Sequence, residues 1–136
     1  NYRENDMIFD IEKFLEFEGN TGPYLLYSYA RASSILKKVR KERKVTEIKS
    51  MSEEEKNLIK KLSLFEDVVK ESAEKFSPNI LANYSFELCQ IFNEFYHTNQ
   101  VIGSEKESFR IKLIEIFTSV LKKCLNLLGI QEIEEM

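Results

Sequence analysis

Glycine and proline are so scarce in this chain that its fold class is nearly decided before other residues are read. Its 136 residues include four Gly and two Pro, and three of these fall within Gly19–Pro23. Short strands need a tight turn at each reversal, and tight turns draw on Gly, Pro, Asn and Asp. Long stretches rich in Leu, Glu and Lys favour helix, where straight-chain residues lose little freedom. The chain is therefore predicted to be all-α, a bundle of five or six helices. At 43% apolar and 32% charged residues, it can bury a core and fold as one ordinary domain.

Helical spacing places Ile8, Ile11 and Leu15 on one face, with Phe14 beside them, before the turn Glu18-Gly19-Asn20-Thr21-Gly22-Pro23. Proline suits the first position of a helix, where its missing N–H would have no partner anyway. The next helix is expected to run from Pro23 to about Lys44, capped by Thr21 or Gly22. It closes on Lys37, Lys38, Arg40, Lys41, Arg43 and Lys44, more cations than a helix C-terminus requires. Ser52-Glu53-Glu54-Glu55 reads as a capping box, followed by Leu58, Ile59 and Leu62. A break near Ser63 precedes Leu64, Phe65, Val68, Val69 and Phe76. Ser77-Pro78 is a second capped start, predicting a helix to about Thr98. A last helix is expected from Glu105 to Leu128, with Phe109, Leu113, Ile116, Phe117, Val120, Cys124, Leu127 and Leu128 as its main stripe. Ile111, Ile114, Leu121 and Leu125 add a second apolar face, which puts this helix at the centre of the bundle. Gly129 is its terminator.

Several chemistries have no residues to carry them. His97 is the single histidine, and it stands beside Tyr96 with no Cys or second His at metal-ligand spacing. Gly19–Pro23 lacks the lysine of a phosphate loop and follows a helix, so it reads as a helix-to-helix turn. No nucleophile elbow is present. No catalytic or metal-binding residues are assigned. The acidic residues fall mainly on predicted solvent faces, with Glu53–Glu55 in a first turn where the helix dipole favours anions. Cys89 and Cys124 lie among apolar neighbours, as reduced, buried thiols of a cytoplasmic protein would. No apolar run is long enough to span a bilayer, and no leader pattern opens the chain. A start at Asn1 rather than Met suggests a fragment or a processed chain. The net charge of −3 argues against broad gripping of phosphates, so any nucleic-acid contact must be local.

Glu18-Gly19-Asn20-Thr21-Gly22-Pro23-Tyr24-Leu25-Leu26-Tyr27, followed by Ala30-Arg31 and Ser34-Ile35-Leu36, resembles the arginyl-tRNA synthetase family where its catalytic core passes into the anticodon-binding bundle. Met7-Ile8-Phe9-Asp10 resembles the same crossover. Phe95-Tyr96-His97, Val101, Arg110-Ile111-Lys112-Leu113 and Leu127-Leu128-Gly129-Ile130, with the closing Met136, resemble the family's C-terminal end. The resemblance implies a C-terminal anticodon-binding (DALR-type) domain over residues 18–136, preceded by a crossover segment at 1–17. It implies that the parent is an arginine–tRNA ligase, which arginylates arginine tRNA with ATP and Mg, and that this domain holds no cofactor. The implied partners are the anticodon stem-loop and the catalytic domain of the same chain, with no DNA and no membrane.

The resemblance further implies that Tyr27 and Tyr96 are aromatic platforms for splayed loop bases, with the middle anticodon cytosine an identity element. Arg31 and Met136 match family positions on the same helix as Tyr27 and near the anticodon loop. Stacking plus hydrogen bonds to base edges is how single-stranded RNA is read. Tyr27 and Arg31 are four residues apart and share a helix face, so one can stack while the other pairs with a phosphate. Lys37, Lys38 and Lys41 extend that helix toward the stem backbone. Duller roles stand beside these. On spacing alone Tyr27 is a core tyrosine, as are Tyr24 and Tyr84; Arg31 could be an ion-pair partner, and the basic run a solvated helix end. Lys122-Lys123 reads as surface. Arg110 fits either a helix-surface ion pair or an RNA contact. The tail Gln131–Met136 is acidic where the family carries a proline and a basic residue, which disfavours direct contact with phosphate. Two further readings are a protein-interaction helical bundle without an RNA role and the similar bundle of cysteine–tRNA ligases. The Gly-Asn-Thr-Gly-Pro-Tyr run fits the arginine enzymes better.

Overall fold

The computed structural model describes residues 10–16, 19–39, 48 and 50–133. Every element among them is a helix: α1 (Ile11–Phe14), α2 (Gly22–Lys38), α3 (Glu53–Ser63), α4 (Phe65–Glu74), α5 (Pro78–Thr98) and α6 (Glu107–Leu127). The all-α expectation holds, and the count of five or six was slightly high. α1 is a single turn, and α3 and α4 are two halves of one rod broken at Leu64, so four rods form the bundle.

Local chemistry explains most helix starts. The Thr21 hydroxyl accepts the Tyr24 N–H at 3.3 Å, and Pro23 sits in the first turn. Both halves of the capping box form, with Glu55 N–H donating to Ser52 Oγ at 3.2 Å and Ser52 N–H to Glu55 Oε2 at 2.7 Å. Ser77 departs from expectation: it makes no cap bond, because its hydroxyl donates instead to Lys75 O at 2.9 Å. At Gly129, with φ of 73°, the α6 terminus closes as a Schellman motif. There Ile130 N–H reaches Leu125 O at 2.9 Å and Gly129 N–H reaches Asn126 O at 3.1 Å.

Other boundaries move for tertiary reasons. α2 stops at Lys38 rather than near Lys44, because Val39 turns extended (φ −89°, ψ 109°) and packs against the core. A β-branched residue gives up little by leaving a helix. α6 begins at Glu107 rather than Glu105, since the Glu107 carboxylate takes the Gly103 N–H at 2.7 Å in the preceding turn.

The core lies where α5 and α6 meet α2 and α3. Leu58, Leu88, Cys89, Phe92, Phe95, Ile114, Phe117, Leu121, Cys124 and Leu125 have no solvent exposure. Phe92 and Phe117 stack at 3.8 Å between centroids and 7° between planes. α5 packs on α2, α3, α4 and α6 and so takes the central position expected of α6, which packs on α2, α3 and α5. Both predicted faces of α6 turn inward: Leu113, Phe117 and Cys124 of the main stripe are buried beside Ile111, Ile114, Leu121 and Leu125, while Ile116 and Leu127 at the edge of the stripe are exposed. Ile11 and Leu15 are also exposed, so the apolar face predicted for the first segment is not buried among the described residues. No helix of the described residues is long and apolar enough to cross a membrane.

Candidate nucleic-acid interface

α2 and α5 lie side by side, and their facing residues follow helical spacing. Tyr24, Tyr27, Ser28 and Arg31 recur at three and four residues along α2, as Phe92, Asn93 and Tyr96 do along α5. The Arg31 guanidinium lies 4.6 Å from the Tyr27 ring centroid and 6.0 Å from that of Tyr96. Its Nη2 donates to Tyr27 Oη at 2.6 Å and its Nη1 to Asn93 Oδ1 at 2.9 Å. Tyr27 and Tyr96 are 40% and 38% exposed, so neither is the core tyrosine that spacing alone favours. Tyr24 and Tyr84 do behave as core residues with a hydroxyl at the rim. The Tyr24 ring lies 5.3 Å from Phe86 and its hydroxyl accepts from Asn93 Nδ2 at 3.0 Å, while the Tyr84 hydroxyl donates to Lys61 O at 2.9 Å. Burial holds the Tyr84 phenol far above its usual ionisation range, with the thiol of Cys124 adding to the shift.

Tyr96 rests on the core through Phe92, whose ring centroid lies 6.3 Å away with the two planes 15° apart. Behind Phe92 stands Phe117, so the exposed Tyr96 ring has a stiff backing. In front of it opens a groove of about 550 Å³, lined by Arg31 and Ile35 of α2, Tyr96 and His97 of α5, and the segment Asn99–Ile102. That volume suits one small ligand group. Tyr27 does not line this groove; it joins through Arg31.

Arg110 resolves into a structural role. Its Nε donates to Glu55 Oε1 at 2.7 Å, its Nη1 to Gln100 O at 2.7 Å and its Nη2 to Asn99 Oδ1 at 2.9 Å. Lys106 Nζ adds a contact to Glu55 Oε2 at 3.3 Å. Glu55 is fully buried, unlike the solvent-face acids among which the sequence placed it. Burial raises its pKa, but the Ser52 N–H, Arg110 and Lys106 outweigh that, and the carboxyl titrates below its ordinary range. The result ties α3 and α6 to the segment that floors the groove.

The other predicted residues are placed less closely. Lys37 and Lys38 are exposed in the last turn of α2. Lys38 lies seven residues beyond Arg31 and shares its face, whereas Lys37 points about 120° away from Arg31. Lys41 and Met136 lie outside the described residues. Lys122 pairs with Glu132 at 2.5 Å, so this acid of the tail is engaged within the chain, and its carboxyl is held below the usual range by that lysine. Among the described residues no group of three or more His, Cys, Asp or Glu is arranged to hold a metal ion. Asn93 and Gln100 went unnoticed in the sequence. Residues 31 and 93 are 62 positions apart, and no local pattern marks such a pair.

Residues 25–136 match the family described as the DALR anticodon binding domain. The chain is 39% identical to an arginine–tRNA ligase of Clostridium botulinum, covering 100% of this chain and 25% of the relative. It is 42% identical to an arginine–tRNA ligase of Alkaliphilus oremlandii, covering 96% and 23%. The chain thus spans about a quarter of the length of the curated relatives it matches. Among solved structures, an arginyl-tRNA synthetase from Plasmodium falciparum superposes with a TM-score of 0.86 at 31% identity, covering 100% of this chain and 25% of that one. The Thermus thermophilus arginyl-tRNA synthetase gives 0.83 at 33% identity, covering 90% and 22%.

Proposed function

The chain belongs to the DALR anticodon-binding domain family, in the form carried by arginine–tRNA ligases, and on that premise we propose that it binds the anticodon stem-loop of arginine tRNA beside α2 and α5. The observation that carries this reading is the Arg31 guanidinium set between the half-exposed rings of Tyr27 and Tyr96, next to an open groove. Two accessible rings and a planar cation are what recognition of unstacked bases uses. They work without a basic surface, which the net charge of −3 requires. In this reading a loop base stacks on Tyr96, the free donors of Arg31 meet a base edge or phosphate, and Tyr27 steadies that guanidinium. Lys38 and Lys37 reach the stem backbone, with Lys41 and Met136 further members of the contact surface.

Residues 1–17 are assigned as the crossover to a catalytic domain of the same parent chain, and residues 18–136 as the bundle. The parent arginylates its tRNA with ATP in the cytoplasm. Residues for that chemistry are not among those described.

Fluorescence titration of the 136-residue chain with an arginine-tRNA anticodon hairpin tests the reading. Binding should weaken several-fold when the middle cytosine is replaced at matched salt. Equal affinity for both hairpins refutes base reading, and indifference to any RNA refutes the function.

A further inference from the structure

Asn93 stands behind the Tyr27–Arg31–Tyr96 cluster rather than in the groove. Its amide is half-buried and fully engaged, with Oδ1 accepting from Arg31 Nη1 at 2.9 Å and Nδ2 donating to Tyr24 Oη at 3.0 Å and Ser28 Oγ at 3.2 Å. The sense of this amide is dictated by its surroundings. A guanidinium only donates, so the carbonyl oxygen must face it; the two hydroxyls can accept and take the amino group. Tyr27 Oη meets the other terminal nitrogen of Arg31 at 2.6 Å. Acceptors from two different helices therefore pin both ends of the guanidinium fork, which sets its plane.

From this we infer that Asn93 is the positioning residue of the site: it fixes the Arg31 guanidinium and governs recognition through Arg31 without touching the ligand. The inference rests on the RNA-binding reading above. An arginine side chain has five donors, and this clamp uses two, leaving three for a base edge or phosphate. Directional hydrogen bonding tolerates only small errors in that plane, and an unclamped arginine must be ordered anew at each binding event. Asn93 thus converts a flexible cation into a fixed donor array. Its partners Tyr24 and Ser28 belong to the α2 face that carries Arg31, so the clamp also holds α5 in register with α2.

Asn93→Leu removes the acceptor at similar size, and Asn93→Ser shortens the side chain beyond reach of Arg31 without introducing an apolar group beside Tyr24 and Ser28. Hairpin binding should fall about tenfold in either variant, the equivalent of one hydrogen bond to a charged group. In an Arg31→Met background the same changes should alter binding by less than twofold, because Asn93 then has nothing to position. An RNA-free signal accompanies this: the Arg31 guanidinium resonances should lose their slow side-chain rotation in NMR spectra of both variants. Equal losses with and without Arg31, or unchanged guanidinium rotation, overturn the positioning role. A wild-type chain that ignores the hairpin overturns the RNA reading. A wild-type chain that binds, with Asn93 variants binding equally well, overturns this inference alone.

Discussion

The carboxylate of Glu55, fully shielded from solvent, accepts the Arg110 Nε–H at 2.7 Å across 55 residues of sequence. Glu55 closes the capping box of α3, and Arg110 holds Asn99 and Gln100 at the groove. One ion pair therefore joins a helix start, α6 and the floor of the candidate site. Removing one member of a buried pair leaves the other charge uncompensated. Glu55→Ala should destabilise the chain by about 3 kcal/mol, at the lower end for such pairs because Arg110 and Lys106 keep some solvent contact. Urea unfolding measures it, and a loss below about 1 kcal/mol would contradict the network.

Acid should weaken the same network. The folded Glu55 carboxyl titrates below the ordinary value of 4.5, so folding favours its ionised form. Its contribution is complete above 4.5 and disappears as pH falls through the lower, folded value. Glu54 and Glu132 shift in the same direction, but both keep solvent contact, which screens their contribution. Urea midpoints measured from neutral pH downward should drop below pH 4.5, and the drop should be shallower in Glu55→Gln. Parallel curves would assign the acid sensitivity elsewhere.

Tyr96 and Tyr27 are predicted to contribute unequally to RNA binding. Tyr96 lines the groove with Phe92 behind it, whereas Tyr27 acts through Arg31. Tyr96→Ala should cost about 1–3 kcal/mol of hairpin binding, the usual range for one stacked base. Tyr96→Phe should cost little, since the ring face does the stacking. Tyr27→Phe, which removes only the acceptor for Arg31, should weaken binding more than Tyr96→Phe does. The reverse order would show that the Tyr27 hydroxyl does not act through Arg31.

Lys38 shares the Arg31 face of α2 and Lys37 does not, so charge removal should separate them. If Lys38 meets a stem phosphate, Lys38→Ala should lower the slope of log affinity against log salt by about 0.7–0.9, and equally for matched and mismatched hairpins. Lys37→Ala should change the slope less. Identical slopes for wild type and Lys38→Ala would remove Lys38 from the interface.

Phe76 holds φ of 47° at the end of α4 while its side chain is 75% exposed. Its N–H reaches Ala73 O at 3.1 Å and the Ser77 N–H reaches Ser72 O at 2.9 Å. Those are the bonds of a Schellman motif, in a place that favours glycine. The left-handed conformation costs a side-chain-bearing residue about 1–2 kcal/mol, partly offset in Phe76→Gly by the freer unfolded chain. A gain of about 0.5–1 kcal/mol in thermal unfolding is expected. A loss would mean that the Phe76 ring packs productively on Leu81 and Leu127, with which it lines an apolar recess.

Cys89 and Cys124 are free and without solvent exposure, and burial pushes both thiols above their usual range. A thiol reagent should label neither in the native chain and both in denaturant. Rapid native labelling would indicate local opening of α5 and α6.

Helix starts were legible in single stretches of sequence because their chemistry is local: Thr21 before Pro23, the Ser52–Glu55 box, Pro78 at the head of α5. Gly129 was legible as a stop for the same reason, since only glycine enters that conformation freely. Apolar spacing likewise announced both inward arcs of α6 but put α6 rather than α5 at the centre, because a wide stripe does not say where its partners stand. The all-α class and the Tyr27, Arg31 and Tyr96 positions could be written down before any coordinates. Tertiary structure alone decided the rest. Val39 ends α2 by packing on the core, and Glu55 is buried because Arg110 arrives from α6. Arg31 is clamped because α5 presents Asn93 beside it. Each of these joins residues far apart in the chain or trades local preference for burial. A helix pattern constrains the angle at which a residue leaves its own axis, but the neighbour it meets depends on how whole helices dock.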